Sequence, residues 1–180
     1  MTGVRLRVLA IPLVVLAILS CEEKIKPSVL QGVDSQSLPQ QESWNSKIVL
    51  SDSGTVKAVI YAGYVRVYQS PPQTLMSEGM TVHFYEPDGK ESSVLTAQQG
   101  VVFDNTKNLE ASGNVVVVSS DTTTLWTEKL DWDNKRQLIH TAEFVRIHSP
   151  TERLQGNGFE SDQHLRHYRV FRVSGETVSQ

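Results

Sequence analysis

Two pairs of side chains have the types and spacing that catalysis or metal binding would need. Asp131 and Asp133 flank Trp132, and on one face of a strand they would lie about 7 Å apart, close to the spacing in glycosidases. His164 and His167 have a metal-ligand spacing, but in a strand they would point to opposite faces. The sequence also lacks Gly-x-Ser-x-Gly, P-loop and His-Glu-x-x-His motifs. We therefore expect no enzyme, metal site or cofactor, and a structural role for both aspartates.

The only cysteine, Cys21, ends an N-terminal targeting segment. Arg5 and Arg7 precede an apolar run from Val8 to Leu19, which spans about 18 Å as a helix and is shorter than a hydrocarbon core of roughly 30 Å. The run ends in Ile18-Leu19-Ser20-Cys21, which is similar to the lipobox of bacterial lipoproteins. A cysteine is needed at the last position because only a thiol can carry a thioether-linked diacylglycerol. We expect Cys21 to be lipidated; an ordinary signal peptide with a spare thiol and an uncleaved short anchor are the alternatives.

Composition and charge exclude several classes of protein. The 180 residues are 39% hydrophobic and 21% charged, which is typical of one globular domain and not of a coiled coil or a polytopic membrane protein. The sequence has seventeen basic and twenty acidic side chains, so it lacks the excess of basic residues that is typical of nucleic-acid-binding proteins. After removal of the signal segment the excess of acidic side chains grows. We therefore expect no nucleic-acid partner and no attraction to anionic lipid head groups.

The sequence divides into four segments. Residues 1–21 form the lipoprotein signal peptide, and residues 22–44, with two prolines and few aliphatic side chains, form a flexible tether. Residues 45–175 form the folded domain, and residues 176–180 are a tail.

The folded domain alternates short apolar runs with turn residues, which predicts an all-β structure. Met80, Val82 and Phe84 alternate with polar residues, as expected of a strand with one buried face. Turn signals include Asp52-Ser53-Gly54 and Ser112-Gly113-Asn114. Hairpins that recur at 20 to 30 residues cannot bury an apolar face alone, so we expect them to stack into one open-ended β structure.

Four ordered strings carry a resemblance to a known family. They are Ala97-Gln-Gln-Gly-Val-Val-Phe-Asp104, Leu109-Glu-Ala-Ser-Gly-Asn-Val-Val-Val117, Leu125-Trp-Thr-Glu-Lys-Leu130 and Leu154-Gln-Gly-Asn-Gly-Phe159. Together they are similar to the periplasmic proteins of lipopolysaccharide export, most of all to the membrane-tethered LptC component, and also to LptA and OstA-type domains. The resemblance covers about residues 48–175.

This resemblance implies a single twisted, boat-shaped β-jellyroll of antiparallel strands, whose two sheets splay around an apolar groove. It implies that the domain takes lipopolysaccharide from an inner-membrane ABC transporter of the LptBFG type and passes it to an LptA-like β-jellyroll protein. Many LptC proteins carry one transmembrane helix, whereas this chain offers a lipid anchor. The expected location is the periplasmic face of the inner membrane.

Apolar residues that could line such a groove occur on most of the predicted strands, and for each one ordinary core packing is the alternative. The candidates are Val65, Val67, Met76, Val82, Phe84, Phe103, Val115, Val117, Leu130, Trp132, Val145, Ile147 and Phe159. Among them, Met76 occupies a position that the resemblance places near the groove.

The outermost strands are the expected contact sites for partner proteins. A strand beginning near Ile48 would face the transporter's β-domain, and a last strand containing Tyr168 and Val170 would receive the next domain by β-augmentation. Gly54 and Gly156 match family glycines at which substitution is expected to disturb bridge assembly, although both also fit simple turn glycines.

Two rival functions remain open. One is a structural outer-membrane lipoprotein whose closed β-sandwich carries no lipid. The other is a hydrolase that uses Asp131 and Asp133.

Overall fold

The computed structural model describes residues 38–174. Cys21, the signal peptide, most of the predicted tether and the tail at 176–180 lie outside the described residues. The first strand begins at Gln41, so the ordered domain starts within the segment that we predicted to be tether. In the part of the chain that the structure describes, no helix is long and apolar enough to cross a membrane.

The described residues form ten antiparallel strands. They are β1 (Gln41–Asp52), β2 (Thr55–Gln69), β3 (Pro72–Tyr85), β4 (Glu91–Ala97), β5 (Gln99–Phe103), β6 (Asn108–Ser119), β7 (Thr124–Asp133), β8 (Leu138–His148), β9 (Arg153–Asp162) and β10 (Tyr168–Val173). Each strand pairs with the next along the chain, except that β4 and β5 share one position between β3 and β6. The all-β prediction is therefore confirmed, and hydrogen bonding joins all ten strands into one sheet.

A line of irregular pairing crosses this sheet at mid-strand. Register shifts or unpaired residues interrupt each ladder from β2 to β9, and several of these residues have the left-handed backbone that bulges use. We call this line the crease. It comprises Gly63, Glu78, Gly79, Gln98, Gly113, Asn114, Glu128, Ala142, Glu143 and Gly158. The turn that we predicted at Ser112-Gly113-Asn114 is wrong, because these residues lie at the crease within β6.

The crease folds the two halves of the strands toward each other. Phe84, beyond the crease in β3, stacks edge-on against Trp132 of β7 with ring centroids 5.6 Å apart. Ser93 Oγ of β4 donates a hydrogen bond of 2.8 Å to the carbonyl oxygen of Gln163, which follows β9. The sheet thus supplies both walls around one interior, which is consistent with the predicted antiparallel β-jellyroll.

The interior between the walls is apolar and buried. Ile60, Val82, Leu125, Val145 and Phe159 have no exposed surface, and the burial of alternate residues follows the predicted two-residue period. Each such side chain contributes about 1.5–3 kcal/mol by its burial. The core of this domain is therefore the same space in which the predicted groove would lie.

Candidate functional site

The structure brings most of the predicted groove residues together in the interior. Eleven of the thirteen are buried, and Val67 is half-buried and packs against the same core. The eleven are Val65, Met76, Val82, Phe84, Val115, Val117, Leu130, Trp132, Val145, Ile147 and Phe159. Their proximity is what a lipid groove needs, and it is also what a packed core needs. Their role in lipid binding remains a prediction.

The predicted interior position of Phe103 is wrong. Its side chain is 39% exposed, and Val102 is the buried neighbour. The cause is the crease at Gln98 between β4 and β5, because one extra residue moves every later side chain to the opposite face. Leu95 and Ala97 are buried before the crease, and Val102 is buried after it.

Flexible side chains line the interior at the crease. Met76 and Met80 are buried, and both lie over Gly100 of β5, where an added Cβ would come within 2.3 Å of Met80 Sδ and 3.1 Å of Met76 Cε. Methionine has three rotatable bonds and adapts to irregular space. The interior is therefore most deformable where the strands bend.

Two buried polar atoms of the interior wall have no partner within the described residues. They are Trp132 Nε1 and Ser161 Oγ. Both residues pair with Ile139 of β8, so their side chains belong to one row across the sheet. A buried donor without an acceptor costs about 1–3 kcal/mol. An ester or amide carbonyl of a guest molecule would remove this cost, whereas a purely hydrocarbon guest would not.

One end of the interior is closed by polar contacts between the walls, which we call the clasp. The clasp joins the β3–β4 turn to the β9–β10 loop through Glu86, His164 and Arg166. Arg166 Nη2 donates a hydrogen bond of 3.3 Å to Glu86 Oε1. His164 Nδ1 lies at the same distance from that oxygen, although the geometry is not that of a hydrogen bond. Opening the interior at this end requires these contacts to separate.

The residues that we considered for metal binding and catalysis contact neighbouring side chains and turns. His164 and His167 lie in the β9–β10 loop and not in a strand as we assumed, and His167 Nδ1 lies 3.0 Å from Asp162 Oδ2. Asp133 Oδ1 accepts the backbone N–H groups of the following turn. Burial raises the pKa of Asp131 despite Lys129, whose Nζ lies 4.0 Å away. Residues 38–174 contain no cluster of three or more metal-ligating side chains.

Both ends of the sheet have an edge without a strand partner among the described residues. β1 pairs only with β2, and β10 pairs only with β9. Ile48 of β1 and Tyr168 and Val170 of β10 are half-buried and pack against the core. Each edge strand is thus held by the domain and still exposes backbone donors and acceptors.

Tyr168 fixes the beginning of β10. Its hydroxyl donates a hydrogen bond to Glu152 in the β8–β9 loop. Burial and this hydrogen bond to a carboxylate raise the pKa of Tyr168 to about 12. The phenol therefore stays neutral at pH values of about 10, at which an unperturbed tyrosine ionises.

The two glycines expected to affect assembly have different environments. Gly54 has a φ of +81° in the β1–β2 turn, and an added Cβ would meet nothing within 4 Å. Gly156 is buried in β9, where an added Cβ would lie 2.2 Å from the carbonyl oxygen of Arg172 in β10. Gly54 is thus required by the turn, whereas Gly156 is required by the close approach of the edge strand.

Comparison with known proteins places this fold in a family. No curated protein matches the sequence. The profile of the family described as "Lipopolysaccharide-assembly, LptC-related" matches residues 10–173. Because this match covers most of the sequence, the chain belongs to the LptC-related family, whose members are periplasmic, inner-membrane-associated components of lipopolysaccharide transport.

Proposed function

We propose that this protein is a membrane-tethered link that receives lipopolysaccharide from an inner-membrane ABC transporter of the LptBFG type. It passes the lipid through its interior to an LptA-like β-jellyroll protein. The observation that carries the proposal is one apolar interior enclosed by a sheet whose two outer edges both lack a strand partner within residues 38–174. Family membership supports lipopolysaccharide as the cargo.

The apolar interior supplies the free energy that transfer needs. Exposing an acyl chain of twelve methylenes to water would cost on the order of 10 kcal/mol. Replacing water with the side chains of Val82, Phe84 and Phe159 removes that cost. No nucleotide is needed in this domain, because the transporter supplies the work.

The interior must open to admit a guest, because its own side chains fill it in the described structure. The clasp joins the two walls at one end through the ion pair between Arg166 and Glu86, and such a solvent-accessible pair is worth about 1 kcal/mol or less. The crease gives the strands a line about which they can bend. Separation of the clasp would therefore widen the interior at low cost.

The two edges give the transfer a direction. The edge of β1 faces the transporter's β-domain, and the edge of β10 receives the next domain by β-augmentation. Main-chain hydrogen bonds across these edges would join the interiors of successive domains. A lipid anchor on Cys21 would keep the first of these domains at the membrane.

A structural lipoprotein without lipid cargo is the second candidate. The observation that favours it is the burial of eleven of the thirteen predicted groove residues, several of which have no exposed surface. Under this alternative the clasp and the core remain closed in every state. Neither edge would then need a partner.

A pull-down with proline variants tests the proposal. Val170→Pro removes a backbone donor from β10, and Ile48→Pro does the same in β1, at the opposite edge. We expect Val170→Pro to abolish capture of the LptA-like protein but to retain the transporter, and Ile48→Pro to have the reverse effect. Capture of both partners by both variants would contradict binding through these edges. Capture of neither partner by the unmodified protein would contradict the bridge and favour the structural lipoprotein.

A further inference from the structure

The outer surface next to the β10 edge carries a concentration of positive charge that the overall composition conceals. Arg146 of β8, Arg153 of β9 and Arg172 of β10 are all exposed. We call these three residues the arginine face. Arg146 pairs with Gln155, and Arg172 pairs with Asn157, so all three arginines lie within about 15 Å of one another on three adjacent strands.

The arginine face lacks ion-pair partners in the part of the chain that the structure describes. Within residues 38–174, none of the three guanidinium groups forms an ion pair. Of the nearby carboxylates, Glu152 is engaged by Tyr168 and Glu160 by Arg136. Glu128 and Glu143 are exposed at the crease, and among the described residues neither forms an ion pair with an arginine. At low salt the Debye length of about 20–30 Å exceeds these separations, so the three charges act together on an approaching molecule.

Exposed aromatic rings accompany these charges. Phe144 and Phe171 are 43% and 55% exposed, and they lie where β8 and β10 cross the crease. Trp126, on the same outer surface, pairs with Arg146 and packs edge-on against His148 with ring centroids 4.9 Å apart. Arginine and aromatic residues are the types enriched at protein–protein interfaces, where lysine is depleted, and no lysine occurs after Lys135.

We propose that the arginine face is a docking surface for an acidic patch on the β-protein that extends the sheet at β10. This inference rests on the proposed bridge and names the chemistry that the next domain must carry. A strand added to β10 would continue the sheet, and its neighbouring outer surface would lie beside Arg172. Carboxylates there would pair with guanidinium groups in a bidentate manner and would increase the rate of encounter.

A membrane is a less suitable occupant of this surface. Phe144 and Phe171 project from the middle of strands and not from loop tips, so they cannot enter a bilayer unless the flat sheet itself is immersed. Polybasic membrane contacts act through charge near the lipid surface, whereas here arginine and aromatic side chains are mixed beside an open backbone edge.

Association kinetics with the LptA-like protein test the docking surface. The full-length protein is compared with a triple variant, Arg146→Gln, Arg153→Gln and Arg172→Gln. The matched control is Lys47→Gln, Lys57→Gln and Lys135→Gln, which removes the same charge elsewhere. We expect the arginine variant to associate about tenfold more slowly at 25 mM salt and to lose most of its salt dependence, while the control stays within twofold of the unmodified protein.

The outcomes separate this inference from the bridge itself. Binding that is unaffected by the arginine variant, or slowed equally by the control, overturns the docking surface alone. Absence of any binding to the LptA-like protein overturns the bridge and the docking surface together. If the arginine variant instead loses only co-sedimentation with phosphatidylglycerol vesicles, or only self-association in ultracentrifugation, the face belongs to a membrane or to a second copy and the inference is wrong.

Discussion

Substitution of Gly156 by alanine should detach the edge strand β10 without unfolding the domain. The added Cβ would lie 2.2 Å from the carbonyl oxygen of Arg172 and 2.8 Å from its carbonyl carbon. Both are backbone atoms, so no side-chain rotation relieves the contact. To reach an ordinary contact of 3.4 Å, β10 must move away from β9 by about 1 Å.

The cost of this movement follows from the β9–β10 ladder. A displacement of about 1 Å takes the neighbouring N–H···O contacts beyond hydrogen-bonding distance. Loss of about three such bonds, at about 0.5–1.5 kcal/mol each, amounts to about 1.5–4.5 kcal/mol. This is less than the total of about 5–15 kcal/mol typical of a domain. We therefore expect β1 to β9 to remain folded.

Amide hydrogen exchange and a pull-down measure this effect. Exchange at Val170 and Arg172 should become fast in Gly156→Ala, while exchange at Val82 stays slow, and capture of the LptA-like protein should be lost. The control is Gly54→Ala, in which the added Cβ meets no atom within 4 Å but the positive φ of residue 54 becomes strained. It should cost about 1 kcal/mol, or about 4 °C in Tm, and should leave β10 protected.

Slow exchange throughout β10 in Gly156→Ala, with normal partner capture, would refute the reasoning. So would an equal loss of protection in all strands, because the defect would then be global and not confined to the edge.

Three further predictions address the clasp and two titrating groups. Glu86→Gln removes the anion of the clasp and should accelerate lipid uptake. Trp132 fluorescence on mixing with lipopolysaccharide reports the rate in a background with Trp44→Phe and Trp126→Phe, and an unchanged rate would exclude the clasp as a gate. The pKa of Asp131 is raised by burial, so ionisation of this carboxylate lowers the free energy of unfolding. Asp131→Asn should therefore raise Tm at pH 7 but not at pH 3. The pKa of Tyr168 is raised to about 12, so the stability that its neutral phenol contributes is present below pH 10 and is lost as pH rises from 10 to 12. Tyr168→Phe should abolish this loss, measured as the change in Tm between pH 10 and pH 12.

Alternation of apolar residues predicted the strands and their buried faces. Met80, Val82 and Phe84 are buried as expected, because a two-residue period within one unbroken strand determines which side chains face the core. The β-jellyroll and the lipopolysaccharide cargo were predicted from the family resemblance, because the two-residue period alone specifies neither of them.

The crease was not predictable from local sequence signals. Gly113 and Asn114 both have positive φ, which a tight turn and a bulge require equally, so their types do not distinguish the two. The misplacement of Phe103 has the same origin, since a bulge reverses the parity of every residue that follows it. The arginine face also escaped prediction, because Arg146, Arg153 and Arg172 are brought together only by the pairing of three strands.

Photo-crosslinking from two phenylalanine positions tests the central claim most directly. Phe84 is 2% exposed on the interior wall and Phe103 is 39% exposed on the outside, so p-azidophenylalanine replaces a ring of similar shape at both sites. If the interior carries lipid, cells that express the Phe84 variant should yield a covalent lipopolysaccharide adduct on irradiation, and the Phe103 variant should not. Adducts at Phe103 alone, or at neither position in a folded protein, would contradict an interior path for the lipid.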